Sequence, residues 1–329
     1  MKKTLLITGG CGFIGTSLVK YCLENKLYSG IRILDNFSAG TPEDLARVCK
    51  FNTQNSEKCK DFEGIELVEG DIRDTETTEK VTKKIIDVVH LAANTGVPQS
   101  VEYPVRDMQA NVIGTVNMLE SARKNDVSKF IFASSGAPAG MVEPPIHEES
   151  SLHPVSPYGA SKLAGEAYCS AYYHTFDINT VCLRFGNVFG PGSDKKSSVI
   201  AKFIRQALED KECEIYGEGN QTRDFIFIED LIYAVSKALS LDVGGETFQI
   251  AAGSEKTLSE VTELIQNSLQ KKLVNMRIKH SGRRKGDVLR NYADTTKARN
   301  ILGWQAKTGL EEGIDATVEY FLSIRKNKN

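Results

Sequence analysis

Apolar positions fall into short runs separated by polar, helix-periodic stretches along the first 240 residues. Residues 3–8, 31–34, 65–68, 88–93, 130–133 and 180–184 read as strands, each four to six residues of mostly Ile, Leu, Val and Phe. Between them lie longer amphipathic segments, among them 101–124 and the Ala-rich run 159–173, with 199–208 and 228–241 further on. Strand and helix alternating this way predict an α/β fold, a Rossmann-type doubly wound parallel sheet. The Gly/Pro-dense stretch Phe185-Gly186-Asn187-Val188-Phe189-Gly190-Pro191-Gly192 marks a lobe boundary. We therefore expect a Rossmann domain over 1–186, rejoined by about 226–250, and a smaller, interleaved α/β substrate lobe over 187–329. Residues 38–62 show no pattern beyond a short helix near 42–48, and 326–329 read as a disordered tail.

Composition narrows the class. The 329 residues carry 41 basic and 43 acidic side chains, a formal charge of -2, so no surface for nucleic acid is implied. The apolar run after Lys2-Lys3 ends within a few residues at Gly9-Gly10, too short for a signal peptide core or a membrane span. Seven cysteines without a Cys-x-x-Cys pair argue against a zinc site or disulfide framework and suit a reducing cytoplasm.

The first strand runs straight into Gly9-Gly10-Cys11-Gly12-Phe13-Ile14-Gly15 and then a helical pattern. Glycines in that context allow a tight turn and a close backbone approach to a pyrophosphate at a helix N-terminus. Asp35 ends the second strand, twenty residues after Gly15, where a carboxylate accepts both adenosine ribose hydroxyls and repels a 2′-phosphate. That favours NAD over NADP. Asp71, after the third strand, is placed to meet the adenine amino group. Ala92 and Ala93 let backbone approach a cofactor, and His90, inside its apolar strand, reads as a core histidine. The glycine loop, Asp35, Asp71, Ala92-Ala93 and Ser134-Ser135 all fall at strand ends, where such sheets bind ligands.

In Pro157-Tyr158-Gly159-Ala160-Ser161-Lys162, a phenol and an ammonium four residues apart share one helical face. Together they form an acid/base pair whose phenol a neighbouring cation can tune downward.

Thr8-Gly-Gly-Cys-Gly-Phe-Ile-Gly15, Gly70-Asp71, Ser134-Ser135, Tyr158 through Lys162, Arg184-Phe-Gly-Asn187, Thr222-Arg-Asp-Phe225 and Gly286-Asp287 through Gly303-Trp304 stand in a familiar order. The chain resembles the extended short-chain dehydrogenases/reductases, specifically the NAD-dependent nucleotide-sugar epimerases and dehydratases, over nearly its whole length. The resemblance implies that Tyr158 takes a proton from a sugar hydroxyl, Ser135 bonds the same oxygen, and Lys162 anchors the nicotinamide ribose while lowering the Tyr158 pKa. It places NAD against Gly9, Gly12, Phe13, Ile14, Gly15, Asp35, Asn36, Ser38, Gly40, Asp71, Ile72, Leu91, Ala92, Ala93 and Phe185, besides Tyr158 and Lys162. It places a UDP-sugar against Ser135, Asn187, Val199, Tyr216, Arg223, Arg284, Asp287 and Asn291: arginines on the diphosphate, Asp287 on the ribose, Tyr216 stacked on uracil. No metal is implied.

Two departures inform the reaction. Pro138-Ala139-Gly140 stands where many relatives have Val-Tyr-Gly. Gly136-Ala137 stands where the dehydratases carry Asp-Glu, and neither residue moves protons. Inversion at C4 through a transient 4-keto sugar is thus favoured over elimination. The alternatives are a dehydratase or decarboxylase, a 4-keto reductase consuming NAD(H), and a non-catalytic NAD-binding regulator. The resemblance to the hexose epimerases implies that the residue four after Asp287 gates space at C2; here it is Asn291, smaller than a tyrosine, which suggests a pocket admitting a 2-acetamido sugar, while Lys195-Lys196 reads first as a solvated pair and second as a contact for a uronic acid carboxylate. Helices around 101–124 and 157–173 resemble those that pair in the family's homodimers.

Overall fold

In the computed structural model, residues 3–59, 61–282 and 288–326 are described. The apolar runs, joined by the polar segment β3, form β1 (Thr4–Thr8), β2 (Gly30–Asp35), β3 (Asn52–Gln54), β4 (Gly64–Glu69), β5 (Asp87–His90), β6 (Lys129–Ser135) and β7 (Thr180–Phe185). With Thr247–Ile250 they make one eight-stranded sheet in the order Thr247–Ile250, β7, β6, β5, β1, β2, β4, β3. β1 is buried throughout, as a central parallel strand covered on both faces must be. It pairs in parallel with β2, ending Thr8 to Leu34, and with β5, ending Thr8 to His90. β5 continues in parallel to β6, His90 against Phe132.

The chain leaves β1 toward β2, β4 and β3 on one side, then returns to β5 on the other. That reversal creates a crevice outside the carboxyl ends of β1 and β5, where ligands bind in such sheets. β3 is a correction to the patternless reading of 38–62: its residues are exposed or half-buried, so no apolar alternation marks it.

The amphipathic stretch expected over 101–124 is not one helix. Val97–Glu102 ends at Tyr103, Pro104–Met108 follows, Gln109–Ile113 widens into a π-turn, and Gly114–Lys124 completes the run. Pro104 lacks the N–H that a continuous helix needs. The Pro157–Phe176 helix starts on Ser156, whose Oγ accepts from Gly159 N at 3.1 Å, with Pro157 as its first residue.

The chain divides into two units. One comprises 1–140, 151–184 and 235–248, the other 141–150, 185–234 and 249–329. The division thus falls after Arg184 rather than at 186, the return begins at Val235 inside the Ile228–Ser240 helix rather than at 226, and 141–150 belongs with the second unit. Within that unit, Asn187–Phe189 pairs in parallel with Phe225–Phe227, and Cys213–Tyr216 with Ile278–Ser281. Trp304 is buried there, its Nε1 donating to Asp230 O at 2.9 Å. Lys326, expected in a disordered tail, ends the Leu310–Lys326 helix; 327–329 lie outside the described residues.

Candidate active site

The glycine loop is shaped by close approach. Gly9 has φ +68°, and a Cβ there would lie 2.9 Å from Ala92 N. A Cβ on Gly15 would lie 2.5 Å from Gly10 Cα, and one on Gly40 only 2.1 Å from the Cys11 carbonyl oxygen. Side chains are therefore excluded where the β1 loop, the segment after β5 and the segment after β2 converge. Phe13 is buried and Ile14 half-buried in the first turn of the Phe13–Glu24 helix, whose N-cap is Gly12 with no side-chain cap. Its first N–H groups thus remain for an anion.

Asp35 is buried at the end of β2. Its Oδ2 accepts from Cys11 N and its Oδ1 from Phe37 N, both at 2.9 Å. Burial raises its pKa while these amides oppose the shift. Each oxygen keeps an acceptor direction, as a ribose diol needs. Asn36 and Ser38 are exposed beside it, with Ser38 N donating to Asn36 Oδ1. Cradle and carboxylate together fit a dinucleotide such as NAD.

Asp71 is more committed than its spacing suggests. Oδ1 accepts from Arg73 N and Nε, both at 2.9 Å, and Oδ2 from Arg73 Nη2 at 2.7 Å and Asn36 Nδ2 at 3.0 Å. Arg73 in particular holds its pKa down to about 2. All four acceptor directions are filled, so an adenine amino group reaches this carboxylate only by displacing a donor. Asp71 and Arg73 line an open cavity of about 550 Å³ with Asp74, Gln109 and Ile113. Ile72 is buried, while Leu91, Ala92 and Ala93 are half-buried after β5. His90 is a core residue: Nδ1 lies 2.7 Å from Thr8 Oγ1, Nε2 3.1 Å from Thr115 Oγ1, and burial pushes its pKa down to about 3.

Ser135 ends β6, and Ala137 N donates to its Oγ at 3.2 Å. A Cβ on Gly159 would lie 2.6 Å from Ala137 O, so this glycine lets the loop after β6 press against the first turn of the Tyr158 helix. Burial raises the Tyr158 phenol to about 12, with Ser135 acting in the opposite direction, toward the phenolate. The expected depression of this phenol by Lys162 is therefore not found in the chain alone. Lys162 is buried and donates from Nζ to Ala133 O at 2.8 Å; desolvation lowers its pKa to about 8.

A network the sequence did not reveal supports this helix. Glu166, one turn beyond Lys162, accepts from Arg184 Nε at 2.9 Å and Nη2 at 2.7 Å, and from the Ser134 hydroxyl. The pair is 6% and 7% exposed, so the helix is bolted to the ends of β6 and β7 by an interior ion pair.

The remaining candidates lie in the second unit. Phe185 is buried, Val199 opens the Val199–Leu208 helix, and exposed Asn187 donates from Nδ2 to Asp224 O at 3.2 Å. Arg223 Nη1 donates to Thr222 O and Val288 O at 2.7 and 2.8 Å, fixing the guanidinium. Tyr216 donates to Glu214 Oε2 at 2.6 Å, and Asn291 is half-buried. Asp224, overlooked in the sequence, is buried and gathers Ala252 N, Gly253 N and Ala293 N on its carboxylate. Arg284 and Asp287 lie outside the described residues.

Comparison with known proteins gives a consistent picture. Residues 5–251 match the sequence model of the NAD dependent epimerase/dehydratase family. A putative UDP-glucose 4-epimerase of Methanocaldococcus jannaschii is 36% identical over 331 residues, covering 99% of both chains. The UDP-glucose 4-epimerase of Thermotoga maritima, solved with UDP-glucose, superposes with a TM-score of 0.88 at 33% identity, over 99% of this chain and 100% of that one. The Thermus thermophilus UDP-glucose 4-epimerase, solved with NAD, gives 0.84 at 30% identity over 97% and 99%.

Proposed function

The chain belongs to the NAD dependent epimerase/dehydratase family, with NAD as its cofactor, and from that premise we propose that it is a UDP-sugar 4-epimerase. The observation that carries the reading is Ser135 at the end of β6, in a loop that Gly159 lets press against the first turn of the Tyr158 helix, followed at once by Gly136-Ala137.

Ser135 and Tyr158 would hold the C4 hydroxyl between them, and Tyr158, ionised to its phenolate, would receive the hydroxyl proton as the C–H bond breaks. Bound NAD supplies the hydride acceptor and, in its oxidised form, a positive charge near the phenol. Lys162, held by Ala133 O, presents its ammonium to the cofactor ribose. Tyr158 then returns the proton when the 4-keto sugar accepts hydride on its opposite face. Elimination needs an acid and a base beside Ser135, and Gly136 and Ala137 offer neither.

In the second unit, Arg223 supports a diphosphate assignment and Asn291 a pocket that takes a 2-acetamido group. A homodimer belongs to this reading. Val97, Val101, Tyr103, Val105, Met108 and Ile113 expose apolar surface along 97–113, as do Tyr168 and Phe176 on the catalytic helix. A cytoplasmic setting belongs to it as well, in keeping with seven free cysteines. No described helix is long and apolar enough to cross a membrane.

The test is a panel of UDP-hexoses, UDP-N-acetylhexosamines and UDP-uronic acids incubated with purified protein without added NAD and read by NMR. C4-inverted product is expected, with Tyr158→Phe folded, NAD-loaded and inactive. Asn291→Tyr should lower the ratio of N-acetylated to plain hexose turnover. Undiminished turnover in Tyr158→Phe would refute the mechanism.

A further inference from the structure

The catalytic trio does not account for all the charge buried around it. Asp107, in the Pro104–Met108 helix, is 2% exposed. Its Oδ1 accepts from Asn111 Nδ2 at 3.1 Å, while its Oδ2 is buried without a hydrogen-bond partner among the described residues. Such a carboxylate is costly unless a cation balances it.

Asn111 fixes where this carboxylate sits. It lies in the π-turn Gln109–Ile113, a widening often found at functional sites. Its Nδ2 also donates to Asn94 O at 3.0 Å and Ser161 Oγ at 3.1 Å, and its Oδ1 accepts from Asn94 N at 2.7 Å. Ser161 is the residue before Lys162. Asp107 is thereby tied through Asn111 to the helix that carries the buried ammonium.

The groups that act electrostatically on Lys162, together with the ring packed against it, come from four elements. Phe132 of β6 presents its ring, 4.9 Å from Nζ, and carries no charge. His90 of β5 is neutral between Thr8 and Thr115. Cys169, on the helix of Lys162 itself, is kept a thiol by burial. Glu166 on the same helix is matched by Arg184 and Ser134. Asp107 remains, a carboxylate with no direct cation partner among the described residues.

We propose that Asp107 is the buried counter-charge that keeps Lys162 an ammonium, a positioning residue acting through Lys162 and Asn111 rather than on the substrate. This rests on the epimerase reading, in which Lys162 must stay charged to hold the cofactor ribose. Burial alone lowers Lys162, and Asp107 is the foremost group raising it against that burial. The same carboxylate raises Tyr158, so its position favours the lysine cation at some expense to the phenolate.

The test is a titration of the Lys162 side chain by NMR. The full chain is labelled with ¹³Cε-lysine, the signal is assigned with Lys162→Met, and NAD occupancy is matched between forms. Asp107→Asn should lower the Lys162 midpoint by roughly one unit or more, whereas Asp107→Glu should hold it near the wild-type value. If Asp107→Asn does not fold, Asp107→Ser must show the same fall. The alkaline limb of NAD retention should move down with the midpoint. A midpoint that ignores the neutral substitutions overturns the proposal, even if turnover suffers. The lysine titration needs no sugar substrate, so failure of the epimerase reading would appear separately, as absent C4 inversion with the Lys162 shift intact.

Discussion

Glu166→Ala removes the acid that bolts the catalytic helix to the sheet. In the native chain both partners are at most 7% exposed, and Glu166 meets two guanidinium N–H groups at 2.9 and 2.7 Å plus the Ser134 hydroxyl. Truncation leaves the Arg184 guanidinium buried without its counter-charge, which costs about 3–5 kcal/mol. Ser134 also loses its acceptor, worth about 1 kcal/mol on its own and not additive with the first loss. A domain with a typical stability of about 5–15 kcal/mol then forfeits roughly a fifth of it or more. Urea unfolding followed by far-UV circular dichroism measures the loss. Because the chain has two units, amide exchange in Pro157–Phe176 localises it. The double variant Glu166→Leu with Arg184→Met should recover most of the stability, since the buried charge goes with its partner. A loss below about 1 kcal/mol, the value of a solvated surface pair, would refute the view that this pair is desolvated and fixes the helix.

Gly159→Val should fold with reduced stability and lose at least tenfold in turnover, because its Cβ meets the Ala137 carbonyl oxygen at 2.6 Å and drives Ser135 from Tyr158; turnover within twofold of wild type in a steady-state assay would show that this contact is dispensable. His90 makes stability depend on pH. Its folded pKa of about 3 lies below the unfolded value of 6.5, so its contribution is complete above pH 6.5 and is lost as pH falls toward 3 at about 1.4 kcal/mol per pH unit. Asp224, raised to about 6, opposes this between 3.8 and 6, because its contribution is present at low pH and lost as pH rises. The His90 share is therefore read as the difference between wild type and His90→Gln in unfolding titrations. That difference should be constant above pH 6.5 and move against wild type as pH falls below it, and a difference independent of pH throughout would contradict the assignment.

The sheet was legible wherever a strand is buried on both faces. β1, β2 and β5 are buried from end to end around Leu5-Leu6-Ile7, Ile31 with Ile33-Leu34, and Val88-Val89, and Gly9 to Gly15 announces the turn between β1 and its helix. β3 was not legible, because Asn52, Thr53 and Gln54 are a polar edge carrying no burial signal. The break at Tyr103 was available in Pro104, but the amphipathic period on either side hid it. Of the site, Ser135, Tyr158, Lys162, Asp35 and the glycines could be placed from position and chemistry. What escaped is the polar interior: nothing in the sequence pairs Glu166 with Arg184 before the fold buries them against each other. Asp107 and Asn111, four apart within the amphipathic stretch 101–124, carry no burial signal of their own in the sequence. Asp71 shows the converse limit, since spacing placed the carboxylate but not Arg73, which saturates it.

The central claim is that hydride leaves C4 of a UDP-sugar for enzyme-held NAD and returns to the same carbon on the other face. It is tested most directly with UDP-sugar deuterated at C4, incubated with the purified chain without added NAD. The account predicts product inverted at C4 with deuterium retained at that carbon, and no accumulation of NADH absorbance. Deuterium washed out to solvent, deuterium found at C6 of a dehydrated sugar, or stoichiometric NADH would contradict it.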